Sequence, residues 1–381
     1  MKIAIMMRVM DQDSGLGFFT ERLLEYLLNM DHKNTYILIY RTNKWFGHFS
    51  KYKNVKEILA PGFHKLYHDQ VKVPLVAWKE HADVLFNPKF SVPFISHCPV
   101  TMGLQEPAWW AWSQHYEKWD VFYMKLMLPI YCRKAAHLFP WSIFNLEETR
   151  KYLKLPLKNV TITYPAPKEC FKVITNKEEL NEVKIKYNLP EKFIFGITRV
   201  DHIGMDNPTF YSGKNVETTL KAFNLIHDKV PHKLVIAGRD VHEYLLKTGW
   251  DEESLKNILF VGFIPHEDLA RLLNLASLFL IPSYYEGFGF TLVEAMASGC
   301  ACVASKLGAC PEISGGASLL ADPFDPSDFA KQMLTVLNND NLQKELEDKG
   351  LRRASTFNWE ATAKLTLEGL KKVVNKNGKN S

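Results

Sequence analysis

At 381 residues the chain is long enough for two domains with their own cores, and 46% hydrophobic with 23% charged residues is the composition of an ordinary soluble globular protein. A net charge of +5 with no readable binding module argues against nucleic acid as a partner. No stretch reaches about 18 uninterrupted apolar residues, and Arg8, Asp11 and Asp13 interrupt the N-terminal apolar run, which excludes a spanning helix and a signal peptide as expectations.

In chain order, apolar runs alternate with helical patterns twice over, the pattern of two parallel α/β sheets. In the first half, strands are expected near 2–8, 36–40, 55–59, 83–86, 99–103, 136–140 and 160–164. Gly15 and Gly17 precede a helix expected from Glu21 to Met30. By itself this Gly-x-Gly also fits a dinucleotide-binding turn, but Thr20 stands where the third glycine belongs. The second strand ends at Arg41 rather than at an acid, so a nicotinamide dehydrogenase is disfavoured.

Metal signals are thin. Asp11-Gln12-Asp13 reads as a solvated loop, and His64 with His68 reads as a surface pair, since the Glu of an H-E-x-x-H site is missing. The six cysteines, Cys98, Cys132, Cys170, Cys300, Cys302 and Cys310, show no C-x2-C pairing and are expected as reduced thiols of a cytoplasmic protein.

The turn Pro165-Ala166-Pro167-Lys168 marks the expected domain boundary, giving residues 1–168 and 169–357, with a closing helix after Asn358 that returns to the first domain. Its apolar stripe is Trp359, Ala363, Leu367, Leu370 and Val374. Residues 1–168 hold 22 Lys and Arg against 14 Asp and Glu, whereas the remainder holds 25 against 28. The basic half also carries Trp109, Trp110, Trp112, Tyr116, Trp119, Phe122 and Tyr123 close to Arg133 and Lys134. Aromatic and basic side chains together suit the interface of an anionic membrane, although core packing or the wall of a sugar pocket accounts for them equally.

Strands in the second half are expected near 193–199, 233–238, 258–261, 278–281 and 300–304. The most informative stretch follows the fourth of these. Glu286 and Glu294 have seven residues between them, around Gly287-Phe288-Gly289-Phe290-Thr291, where the buried strand Leu278-Phe279-Leu280-Ile281 passes into a helix. Glycines let the backbone approach a ligand, and the helix aims its positive end at that space, which suits phosphate. A carboxylate beside bound phosphate would be repelled, so the two glutamates are read as acceptors for flanking hydroxyls. Thr291 and Glu294 also fit a capping box, which explains Glu294 but neither Glu286 nor the glycines.

The run from Glu286 through Ser305, with Pro311-Glu312 after it, resembles the E-x7-E signature of the retaining glycosyltransferases of family 4, closely in the second half of the chain and more loosely in the first. The resemblance implies the α/β GT-B fold, two Rossmann-like domains whose parallel sheets face across a cleft. It also implies a nucleotide diphosphate sugar as co-substrate, no cofactor and no metal. Glu286 would hydrogen-bond the transferred sugar, the backbone of Gly287 to Gly289 would hold the diphosphate, and Glu294 would take the ribose hydroxyls. Arg199 and Lys214 match the cations that neutralise the leaving diphosphate. The segment Val200 to Gly213 between them is longer than the family's usual gap and is read as a lid or acceptor loop. Gly262 and Phe263 fall where the backbone contacts the nucleotide base, and Gly15 and Gly17 where the first domain approaches the donor phosphate.

On the acceptor side, Gln105 and Glu106, with Trp109 and Trp110 following, stand where many relatives carry a His-Asp pair. Gln105 takes no proton, so a protein base is unsupported here, and the family picture lets the donor phosphate receive the acceptor proton. Together these residues lead to an expectation of hexose transfer from a UDP- or GDP-sugar to a glycan or lipid-linked glycan in cell-surface polysaccharide or glycolipid synthesis, in the cytoplasm or peripherally at the membrane. The alternatives are a GT-B enzyme making a soluble disaccharide or sugar phosphate, and a non-catalytic sugar-nucleotide-binding protein.

Overall fold

The computed structural model describes residues 1–11, 15–105, 107–113, 116–202, 208–210 and 212–377, with only the backbone for 201, 202, 208–210, 212 and 377. Two units emerge: Met1–Pro165 with Asn358–Ser381, and Ala166–Phe357. The division falls inside the proline-rich turn, three residues before the position read from the sequence.

In the first unit, β1 (Lys2–Met6), β2 (Thr35–Tyr40), β3 (Val55–Leu59), β4 (Val84–Asn87), β5 (Val100–Leu104) and β6 (His137–Pro140) form one sheet in the order β3-β2-β1-β4-β5-β6. Every pairing in it is parallel. Helices cover both faces of such a sheet, so its central strands are apolar throughout, as the fully buried Ile3, Ala4 and Ile5 show.

The second unit repeats the plan with β7 (Phe193–Ile197), β10 (Lys233–Ala237), β11 (Ile258–Gly262), β12 (Leu278–Ile281), β13 (Cys302–Ser305) and β14 (Leu319–Ala321), in the order β11-β10-β7-β12-β13-β14, again all parallel. Its core joins Leu220, Phe223, Leu280, Val303 and Phe329 across the sheet and its helices. Strand β14 escaped the sequence reading because Leu319-Leu320-Ala321 is too short to show a period before Asp322-Pro323 ends it.

Several elements differ from expectation. Residues 160–164 do not form a strand: they run beside β6 through an isolated bridge between Leu138 and Val160. Hydrogen bonds continue from Thr161 to Leu138 and from Thr163 to Pro140, but Pro140 has no N–H to return, so the ladder cannot complete. The first helix starts at Gly15, not Glu21. The 200–213 segment, read as a lid or acceptor loop, contains an antiparallel pair of strands, β8 (Val200–His202) with β9 (Pro208–Phe210).

Only one of the two histidines is on the surface. His68 is fully buried with Nδ1 at 2.9 Å from the Ala60 carbonyl, and burial lowers its pKa. His64 is exposed and caps the short helix Lys65–Tyr67 by accepting from Leu66 N–H.

The closing helix Trp359–Asn377 begins where the sequence places it, after Asn358, whose Oδ1 accepts from Ala361 N–H at 2.7 Å. Trp359, Ala363, Leu367 and Leu370 are buried, and Trp359 meets the rings of Phe18 and Phe19. A Cβ on Gly369 would lie 2.5 Å from the Phe139 ring, so glycine lets this helix lie directly on β6.

Candidate active site

The second sheet reverses direction at β7: β10 and β11 lie to one side, and β12, β13 and β14 to the other. In open α/β sheets the crevice outside the carboxyl ends of the strands at such a reversal is the ligand site. The turns after β7 and β12 carry Arg199 and the Glu286–Gly289 segment, so these expected site residues converge on one sheet edge.

Lys214 ends the 3-10 turn Ser212–Lys214, and its Nζ lies 2.7 Å from Glu286 Oε1. The same oxygen accepts from the Ser283 hydroxyl at 2.8 Å. Burial works against the lysine charge, yet the carboxylate of Glu286 and its hydrogen bond outweigh it and hold the lysine pKa above its ordinary value.

Asn215 explains why the lysine sits there. In a left-handed conformation (φ 48°) it caps the helix Val216–Asn224, and its Nδ2 donates to the carbonyls of Pro282 at 2.8 Å and Pro323 at 2.7 Å. Tyr284 N–H adds a bond to Gly213 O at 3.0 Å. The turn bearing Lys214 is thereby stapled to the end of β12. Of the two expected cations, it is Lys214 that contacts Glu286, while Arg199 is an exposed residue just after β7.

Glu286 is also held from behind. Its carbonyl accepts from Ala309 N–H at 2.9 Å, and a Cβ on Gly308 (φ +67°) would lie 2.9 Å from Glu286 N and 3.0 Å from its O. Only glycine permits that approach. Ser283, Asn215 and Gly308 carry no local signal of this role, because Asn215 and Gly308 act through partners far away in the chain and Ser283 reads as a simple strand end.

The helix after the turn is Phe290–Ala297, and its N-cap is Gly289 at φ 94°, not Thr291. Thr291 thus lies inside the first turn, and the capping box that would have accounted for Glu294 does not form. Phe288 is buried against Phe290 and Phe357, anchoring the turn.

Glu294 is 5% exposed, and among the described residues no hydrogen-bond donor reaches its carboxylate. Burial pushes its pKa up to about 7 against the opposing charges of Lys214 and Lys168. Lys168 is a further cation whose field reaches this carboxyl, which its place in the boundary turn gave no reason to expect.

Toward the other side of the sheet, Gly262 (φ +69°) ends β11, and Phe263 is 66% exposed beneath the Arg239 guanidinium, 5.6 Å from its ring centre. A Cβ on Gly238 would lie 2.5 Å from Thr198 O, which keeps the ends of β7 and β10 close.

The first-unit candidates are placed differently. Gly15 is exposed and Gly17 buried in the first turn of the helix Gly15–Met30. Gln105 is buried, donating through Nε2 to Pro88 O at 3.0 Å, while its Oε1 has no partner among the described residues. Trp109 packs edge-on against Phe90 at 4.7 Å, and Trp110 stacks on Tyr152. Both tryptophans are therefore tied into their own unit. Glu106, Asp13 and residues 203–207 lie outside the described residues.

Residues 208–353 match the family model described as glycosyl transferases group 1. The serotype-specific mannosyltransferase WbdA of Escherichia coli is 28% identical over 260 residues, which is 66% of this chain and 30% of WbdA, so the chain spans about a third of that relative. The O-antigen chain mannosyltransferase B of Escherichia coli is 27% identical over 314 residues, covering 77% of this chain and 76% of the relative. Among solved structures, HepE from Anabaena in complex with UDP superposes with a TM-score of 0.69 at 16% identity, covering 98% of this chain and 100% of HepE. The two all-parallel six-stranded sheets and the solved neighbours show the two-domain α/β GT-B fold, and the segment 208–353 is similar to glycosyl transferases group 1.

Proposed function

We propose that the protein is a retaining glycosyltransferase that moves a hexose from a UDP- or GDP-sugar to a hydroxyl of a glycan or lipid-linked glycan, in the synthesis of cell-surface polysaccharide. The observation that carries this reading is the Lys214–Glu286 couple at the β7/β12 reversal, with the buried Glu294 in the helix that follows. The similarity to O-antigen mannosyltransferases supports the acceptor class.

In this reading the diphosphate takes the Lys214 ammonium as its counter-ion, with Arg199 as the second cation. Glu286 is released to accept hydroxyls of the sugar. As the anomeric C–O bond breaks, negative charge moves onto the diphosphate oxygen, where two fixed cations replace the role of a metal. That oxygen then takes the proton of the acceptor hydroxyl on the same face of the sugar, so no protein base is needed. Glu294 accepts from the ribose, and Gly262 with Phe263 borders the base. No helix among the described residues is long and apolar enough to cross a membrane. Cytoplasmic residence with peripheral contact to an anionic membrane completes the proposal.

Donor hydrolysis in the absence of acceptor tests it. Glu286→Gln should abolish sugar release while UDP still raises the melting temperature, and a variant that hydrolyses at the wild-type rate removes Glu286 from the chemistry.

A further inference from the structure

Large apolar side chains left in water cluster in the first unit. The helix Lys118–Lys134 buries Met124, Leu128, Tyr131 and Cys132 on one face. On the opposite face Trp119 is 82% exposed, Phe122 62%, Leu126 54% and Ile130 39%, a single stripe at three- and four-residue spacing.

Two neighbouring segments continue the pattern. Phe94 and Ile95 form an exposed loop, Ile95 at 83%. That loop is bonded on one side to Gln70, which donates to Val92 O at 3.1 Å and accepts from Phe94 N–H at 2.9 Å. On its other side Phe94 stacks on Tyr131 of the striped helix at 5.6 Å. Beyond Gln70, the helix Val73–Lys79 leaves Leu75 and Trp78 exposed. Hydrogen bonds and a ring contact thus tie the loop to both helices, to the striped one through Tyr131 on its buried face.

Charge identifies what covers them. Lys118, Lys125, Arg133 and Lys134 are exposed along the striped helix, against Glu117 and Asp120, and Lys65 and Lys79 are exposed around the second segment. Protein–protein interfaces are depleted in lysine, whereas tryptophan with lysine and arginine is the pairing of a membrane–water interface. A patch of this kind is also larger than the isolated apolar residues a monomer ordinarily shows.

We propose that the stripe Trp119-Phe122-Leu126-Ile130 is the face on which the protein seats on an anionic bilayer, its apolar side chains in the headgroup zone and its lysines against lipid phosphates. The inference rests on the reading of a lipid-linked acceptor and deepens it, and within the aromatic cluster it selects Trp119 and Phe122, since Trp109 and Trp110 pack inward.

Co-sedimentation of the full chain with phosphatidylcholine vesicles, with and without roughly one-third phosphatidylglycerol, tests it. The chain should partition at least about tenfold more strongly onto the anionic vesicles, and added salt should weaken this. Trp119→Glu combined with Leu126→Glu should lower the partition by at least about tenfold, with melting temperature and donor hydrolysis retained. Ile185→Glu, at an equally exposed position in the second unit, should change nothing. Glu286→Gln should still bind vesicles, so failure of the catalytic reading is separable. Wild-type protein that stays in the supernatant, a double variant that pellets like wild type, or a dimer that the double variant splits would each overturn the proposal, the last in favour of a second copy of the chain.

Discussion

Glu286 and Lys214 form a couple in which each residue depends on the other. Removing the lysine leaves a carboxylate that is 15% exposed with the Ser283 hydroxyl as its remaining side-chain donor among the described residues. Lys214→Ala should therefore lower donor hydrolysis by about a hundredfold or more, the cost of one group that stabilises developing charge, read as kcat with UDP affinity measured separately. Gly308→Ala acts on the same site without touching a charge. Its Cβ would meet the Glu286 backbone at 2.9 Å in a left-handed conformation, so about 1–3 kcal/mol of stability should be lost and hydrolysis should fall with it, as a melting curve and a rate assay on one sample would show.

Glu294 gives a pH signature. Burial holds its pKa near 7, above the ordinary 4.5, so between those values the ligand-free protein keeps a proton that the unfolded chain has lost. Its contribution to stability is complete below the lower value and declines as pH rises through the higher one. In the proposed reading ribose hydroxyls donate to the ionised form, so UDP binding should tighten from about pH 6 toward about pH 8 and release a proton, detectable by calorimetry in buffers of different ionisation heat. Glu294→Gln should abolish that release.

Between elements, the contact of the closing helix with β6 is the sharpest test. Gly369 costs the helix about 1 kcal/mol of intrinsic propensity, and alanine would ordinarily recover it. Here the added Cβ would fall 2.5 Å from Phe139 and 3.2 Å from His137 Nε2, both in a packed sheet. Gly369→Ala should destabilise by about 1–3 kcal/mol in urea unfolding instead of stabilising, because overpacking outweighs propensity. The turn before the helix Phe290–Ala297 shows the same contest: the sequence pattern Thr291…Glu294 offered a cap, and the left-handed Gly289 two residues earlier took its place.

For the molecule as a whole, His137 links pH to folding. Burial, helped by the charges of Lys372 and Lys376, lowers its pKa to about 4 from 6.5 while its Nε2 lies 2.8 Å from Thr161 Oγ1. As pH falls from 6.5 toward 4 the unfolded chain binds a proton that the native protein refuses, so stability decreases over that window by up to about 3 kcal/mol. Urea melts at stepped pH should show this slope, and His137→Gln, able to keep a bond to Thr161, should flatten it.

The two parallel sheets, the place of the turn Glu286–Gly289 between a strand and a helix and the start of the closing helix were all legible in the amino-acid order, because buried strands and helix stripes write their period into adjacent residues. The pairing of Lys214 with Glu286 was not, nor the staple from Asn215 to Pro282 and Pro323, 67 and 108 positions away. The same holds for the burial of His68, the failure of residues 160–164 to complete a strand, and the outward face of Trp119 where Trp109 packs against Phe90. Each of these depends on which distant backbone comes close in the folded chain, a distance that no local pattern encodes.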